Sequence, residues 1–191
     1  PFSLFVLTSA LGALSLHSAF AAMQKGDFSN AEKGASYSQK FFASSQSFVR
    51  FLSVQANVLG QEDKQHAILV LLNAGEDASL SLLSIAYTGE FLCEFFKQSI
   101  SNDNAFSDQE SKSLLDKAIG EINRTAERIS LLEKELEEVD TLPLPTAMKI
   151  YVQGRRALLS RYRETIAITQ TLGNILPDLL GFDGKRVYLV L

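Results

Sequence analysis

Apolar and small residues recur every three or four positions along most of the chain, which is the period of a helix with one buried face. Residues 1–24 form a first such segment. Lys25-Gly26 supplies a turn, and Asp27 or Ser29 supplies a cap for a helix expected to begin near Ser29. Its stripe runs through Ala31, Ala35, Ser38, Phe42, Ser45, Val49, Leu52, Ala56 and Leu59, with Gly60 as the expected stop. A third stripe passes through Ala67, Leu71, Ala74, Ala78, Leu82, Ile85, Gly89, Leu92 and Phe96, and Gly75 and Gly89 are its expected points of bending.

The polar cluster Ser101-Asn102-Asp103-Asn104 predicts a loop, because short polar side chains compete for backbone hydrogen bonds. Ser107 and Glu110 have the spacing of a capping box. The fourth stripe follows, through Leu115, Ile119, Ile122, Ala126, Ile129, Leu132, Leu136 and Val139, with nearly the alternation of a coiled-coil seam. Pro143 and Pro145 end it. A fifth helix is expected from about Thr146 to Ile175, with Met148, Tyr151, Leu158, Tyr162, Ile166, Leu172 and Leu176 facing inward and Pro177 as its stop. The near-continuous apolar run Val187-Tyr188-Leu189-Val190-Leu191 reads as a strand covered on both faces.

The expected fold is therefore all-α: a long antiparallel bundle of about five helices over residues 1–176, a linker over 177–185, and the first β-strand of a truncated mixed α/β domain over 186–191. Pro1 in place of Met, and an apolar run that stops without a turn signal, suggest a chain cut at both ends. An apolar share of 46% is enough for a continuous core. Charge then refines the pairing. Residues 108–140 hold ten acidic and five basic residues, while 146–176 hold five basic and one acidic, so an antiparallel pair of these two helices is favoured.

Composition also narrows function. A net charge of -4 provides no basic field for a phosphate backbone, so nucleic acid is not an expected partner. Residues 1–24 carry no Asp, Glu, Lys or Arg and are long enough to cross a bilayer. Three readings of them stay open. Thr8, Ser9, Gly12, Ser15 and Ser18 suit a packed helix, the charge-free length suits a membrane anchor, and Ala19-Phe20-Ala21 suits a signal-peptidase site.

No constellation carries chemistry, and no catalytic, cofactor-binding or metal-binding residue is assigned. His17 and His66 stand on separate helices without ligand-spaced companions. Cys93, the single cysteine, lies in Phe91-Leu92-Cys93-Glu94-Phe95-Phe96 and is expected to be a buried free thiol. The run from Glu133 to Glu138 reads as a solvated face. Arg155, Arg156, Arg161 and Arg163 read as partners of the acidic neighbouring helix rather than as a phosphate or lipid site. Asn123-Arg124-Thr125 matches a glycosylation acceptor but falls inside the strongest helix. Ala19, Ala22, Gly26, Asp27, Phe28 and Ala31 look like a tetratricopeptide helix pair, but the pattern does not recur 34 residues later.

Two segments carry a family resemblance. The turn Gly26-Asp27-Phe28-Ser29-Asn30-Ala31 and the run from Leu176-Pro177-Asp178 through Gly181-Phe182-Asp183-Gly184-Lys185-Arg186 to Leu191 resemble bacterial proteins of domain of unknown function 4012. The resemblance implies a membrane-anchored, extracytoplasmic envelope protein whose helical region leads into a mixed domain. It implies as partners the membrane, through an anchor within or upstream of residues 1–24, the chain's own downstream domain, and an envelope protein or glycopolymer. The expected function is a non-catalytic helical stalk or interaction module. The rivals are a helical ligand sensor and an accessory region of an envelope enzyme.

Overall fold

A computed structural model describes residues 2–53, 59–100, 108–142, 144 and 146–180. The chain is mostly helical, and no strand occurs among the described residues. The helices are α1 (Phe2–Gln24), α2 (Phe28–Phe51), α3 (Glu62–Ile100), α4 (Asp108–Glu138) and α5 (Thr146–Leu180). Each packs against the next in chain order, and α1 also reaches α3.

The α1–α2 turn is compact because each of its residues satisfies a helix end. Gly26, at φ +72°, takes the left-handed conformation that lets its N–H reach Met23 O and the Asp27 N–H reach Ala22 O, both at 3.0 Å. Asp27 then caps α2 by accepting from the Asn30 N–H at 3.2 Å. Helix α2 thus begins at Phe28, one residue before the predicted start.

Partner positions run in opposite directions along every neighbouring pair. Ala19 meets Gly34 and Gly12 meets Phe42. Gly75 and Gly89 of α3 meet Phe42 and Phe28 of α2. His66 and Ser84 of α3 meet Glu138 and Glu121 of α4. Asp140, Glu133 and Asn123 meet Arg156, Arg163 and Gln170 of α5. The ring of Phe20 on α1 lies 5.3 Å from that of Tyr162 on α5, so the first and last helices meet across α3.

The core therefore centres on α3, and it departs from the single predicted stripe. Ala67, Ala74 and Leu82 are buried as expected, but so are Val70, Leu72, Ser79, Ser81, Ser84, Ala86 and Thr88. A helix with neighbours on both sides buries two faces. The two glycines expected to bend α3 do not interrupt it. Each makes room for an aromatic ring of α2: a Cβ on Gly75 would lie 2.7 Å from Phe42 Cζ, and one on Gly89 would meet Phe28 Cε1.

The acidic fourth seam is found where predicted. Leu115, Ile122, Ile129, Leu132 and Val139 are buried, and Ile119, Ala126 and Leu136 are half-buried. On α5, Tyr162 and Ile166 face inward as predicted, joined by Val152 and Leu159, which the stripe omitted.

Three further expectations change. Helix α2 ends at Phe51 rather than Gly60, with Leu59 70% exposed. There the Gln65 amide donates to Val49 O, supplying a carbonyl of the last turn. Helix α5 continues through Pro177 to Leu180, although the proline withholds the backbone donor that the Gly173 carbonyl would otherwise take. Cys93 is exposed: it continues the line of Gly75, Leu82 and Gly89 that faces α2, but lies a turn past Gly89, which already meets Phe28, the first residue of α2. The predicted linker beyond residue 180, the strand at 186–191, the loop at 101–104 and the Ser107 cap lie outside the described residues.

Candidate functional site

Three features outside the apolar seams have enough polar chemistry to be weighed. The first is a hydroxyl ladder between α1, α2 and α3. Thr8 and Ser45 share a hydrogen bond of 2.7 Å, the Ser38 hydroxyl donates to Gly12 O at 2.8 Å, and the Ser79 hydroxyl bonds Ser38 Oγ at 2.8 Å. Ser38, Ser45 and Ser79 are fully buried. The ladder continues outward to Glu76, whose two carboxylate oxygens accept from the amides of Gln39 and Gln46 at 2.8 and 2.7 Å. These groups hold helices together, because small side chains let backbones approach and each buried polar atom then needs a partner. No histidine stands against the ladder to activate a hydroxyl as a nucleophile.

The second feature is a group of carboxylates where α3 faces α4. Asp77 is raised above the usual carboxylate range by burial and by Glu76, against the opposing pull of Arg128. Glu135 is pushed up to about 7, first by burial and then by Asp77 and Glu138. Glu135 Oε2 is buried without a hydrogen-bond partner. The predicted solvated run is thus divided: Glu133 pairs with Arg163 at 3.2 Å, Glu138 accepts from or bonds His66 Nε2 at 2.9 Å, and Glu135 turns inward. His66 accordingly has a carboxylate companion that its sequence surroundings did not reveal, supplied by a residue 72 positions away. Among the described residues, no three His, Cys, Asp or Glu side chains are placed to hold a metal ion.

The Glu135 environment makes a signed prediction. Its folded pKa exceeds its ordinary value of 4.5, so the stability it contributes is fully present below that value and is lost as pH rises through about 7. Glu135→Gln should therefore raise the stability read from urea titrations near pH 8 by on the order of 1 kcal/mol, once solvent screening of this partly exposed group is allowed for, and leave it nearly unchanged near pH 4. An equal shift near pH 8 and near pH 4 would show that Glu135 is not the titrating group.

The third feature is an open groove of about 790 Å³ beside Tyr87, between α3 and α4, lined by Lys117, Gly120 and Glu121 among others. Its charges alternate in sign along α4, and Glu121 is already engaged by Ser84 and Arg124. The arrangement fits a solvated helix surface better than a site selecting one charge.

Of the predicted arginine pairs, two are described. Arg156 donates to Asp140 Oδ2 at 2.7 Å, while Lys149 reaches Asp140 O and Gln153 reaches Asp140 Oδ1. This cluster holds the start of α5 against the end of α4 and keeps the Asp140 carboxyl below the usual range, chiefly through Arg156. Arg163 completes the pair with Glu133. Both arginines are engaged within the molecule, as the charge pattern predicts. Asn123, the glycosylation match, accepts from the Gln170 amide at 2.8 Å on the exposed side of α4.

Among the described residues, two helices are long and apolar enough to cross a membrane, over Leu4–Gln24 and Glu62–Cys93. The second is the central core helix, with Glu76 and Asp77 at its middle. The first has one face on α2 and α3, but Leu4, Val6, Leu7 and Leu14 are 48–65% exposed. No family model, curated protein or solved structure matches the chain.

Proposed function

We propose that the chain is a non-catalytic helical stalk or interaction module of a bacterial cell envelope, held at the membrane through α1 on the extracytoplasmic face. The observation that carries the membrane part is the exposed apolar side of a helix with no charged residue over its whole length. Water penalises such a surface and hydrocarbon does not. The sidedness, the downstream mixed domain beginning near Arg186, and an envelope protein or glycopolymer as further partner rest on the resemblance to domain of unknown function 4012.

Cys93 makes the location testable, because it is the chain's single cysteine and is free and exposed. In intact bacteria, a membrane-impermeant maleimide should label Cys93 and sediment with the membranes, and Cys93→Ser should remove that label. Labelling that requires lysis would place α3 in the cytoplasm and overturn the proposed side.

A further inference from the structure

The exposed side of α1 is continuous with a second surface of a different chemistry. On α1, the line facing α2 passes through Thr8, Gly12 and Ala19. Leu4, Leu7 and Leu14 flank that line on the side away from Phe20, which faces α5. On α2, the line facing α1 passes through Gly34, Ser38 and Ser45, and Gln39 and Gln46 turn toward α3. Lys33, Tyr37, Lys40, Ser44 and Phe51 lie on the opposite side, spaced by whole turns, and all five are exposed. The outer side of the α1–α2 hairpin is thus apolar along one helix and basic and aromatic along the other.

Charge separates this hairpin from the rest of the chain. Residues 1–53 hold four basic and two acidic residues, a net +2, whereas 54–191 hold fourteen basic and twenty acidic, a net -6. The half-buried Glu32 is the only carboxylate of α2, and it falls on the side of that helix away from Tyr37. We infer that this face of the hairpin docks on an anionic phospholipid surface, with Leu4, Leu7 and Leu14 entering the acyl boundary and Lys33 and Lys40 meeting the headgroups. The inference rests on the membrane reading above and adds the orientation and the lipid class.

The orientation follows from the ladder. Helix α2 runs antiparallel along α1 and is tied to it by buried hydrogen bonds, so an α1 that crossed the bilayer would draw Lys33 and Lys40 toward hydrocarbon. With α1 lying in the surface plane, the two lysines extend to phosphate depth, and Tyr37 and Phe51, 59% and 74% exposed, sit at the interface that favours aromatic rings.

Vesicle sedimentation tests this with the 191-residue chain, using phosphatidylcholine alone and phosphatidylcholine mixed with phosphatidylglycerol. The expected result is a preference for the anionic vesicles that salt weakens. Lys33→Gln with Lys40→Gln should reduce that preference by roughly 30-fold while leaving residual binding to neutral vesicles. Lys117→Gln with Lys134→Gln, on exposed positions of α4, should leave it unchanged. The chain has no tryptophan, so Tyr37→Trp provides a single indole whose emission should shift to the blue on the anionic vesicles. Equal binding to both vesicle types would overturn the lipid class and leave the membrane reading standing, and binding to neither would overturn both. A preference that survives the Lys33 and Lys40 changes, or falls equally with the α4 pair, would overturn the assigned face, as would binding without the indole shift.

Discussion

Ile129→Asp should destabilise the chain by at least ~3 kcal/mol, because it removes a buried apolar side chain and places an unpaired carboxylate where water does not reach. Ile129 is 2% exposed and packs with Ile122 and Ile166, with Leu159 and Tyr162 against them. Ile122→Asp, at 7% exposure in the same cluster, should act in the same direction. Glu127, on the exposed side of the same helix, should tolerate Ala with a change of ~0.5 kcal/mol or less. Urea titrations with matched slopes would compare them. Equal midpoint shifts for Ile129→Asp and Glu127→Ala would mean that the α4 seam does not bear on the core.

That seam was legible in the sequence because α4 buries one face and leaves the other to water, so its charges, Glu135 excepted, separate from its isoleucines by position. The central helix was legible only in part. Ser79, Ser81, Ser84 and Thr88 lie outside the predicted stripe, yet they are buried on its two sides, with Ser79 bonded to Ser38 of α2 and Ser84 to Glu121 of α4. A hydroxyl can be satisfied by a carbonyl one turn back in its own helix, as Ser79 is by Gly75 O. It therefore carries little sequence signal of burial. The same ambiguity concealed the end of α2, where Ala56 and Leu59 keep the helical spacing although the helix stops at Phe51.

The polar features were legible to the extent that charge pairing is set by helix register. Opposite net charges on α4 and α5 predicted that the arginines of α5 would be engaged by the acidic segment, and Arg156 with Asp140 and Arg163 with Glu133 are such pairs, because antiparallel neighbours bring each helix's charges past the other's. Glu135 was not separable from Glu133 and Glu138 by composition, since adjacent helical residues differ in direction and only the position of α3 decides which one is covered. The basic and aromatic side of α2 was equally hidden. Lys33, Tyr37 and Lys40 gain meaning only once α1 is placed beside them with Leu4, Leu7 and Leu14 uncovered.

Phe42 should show the strongest coupling in the molecule. Its ring is 8% exposed and lies in a cluster with Val49 and Leu72, and it is flanked by two glycines from different helices. A Cβ on Gly12 would stand 3.2 Å from Phe42 Cε1, and one on Gly75 would stand 2.7 Å from Phe42 Cζ. Phe42→Ala should therefore cost about 3–5 kcal/mol, through lost burial and the cavity left between α1 and α3. Gly75→Ala in the native chain should be destabilising by about 1–2 kcal/mol, because overpacking against a ring already held by Gly12 outweighs the helix preference of alanine. With Phe42→Ala in place the obstruction is gone. The same Gly75→Ala change should then stabilise by up to about 1 kcal/mol, since the methyl enters vacated space and alanine is the better helix former. The sign of one substitution thus depends on a residue 33 positions away, and a double-mutant cycle in urea should give a coupling of about 1–3 kcal/mol. Additive effects would mean that the ring does not occupy the space over Gly75, and that α3 runs straight through that glycine for some reason other than the aromatic side chain packed against it.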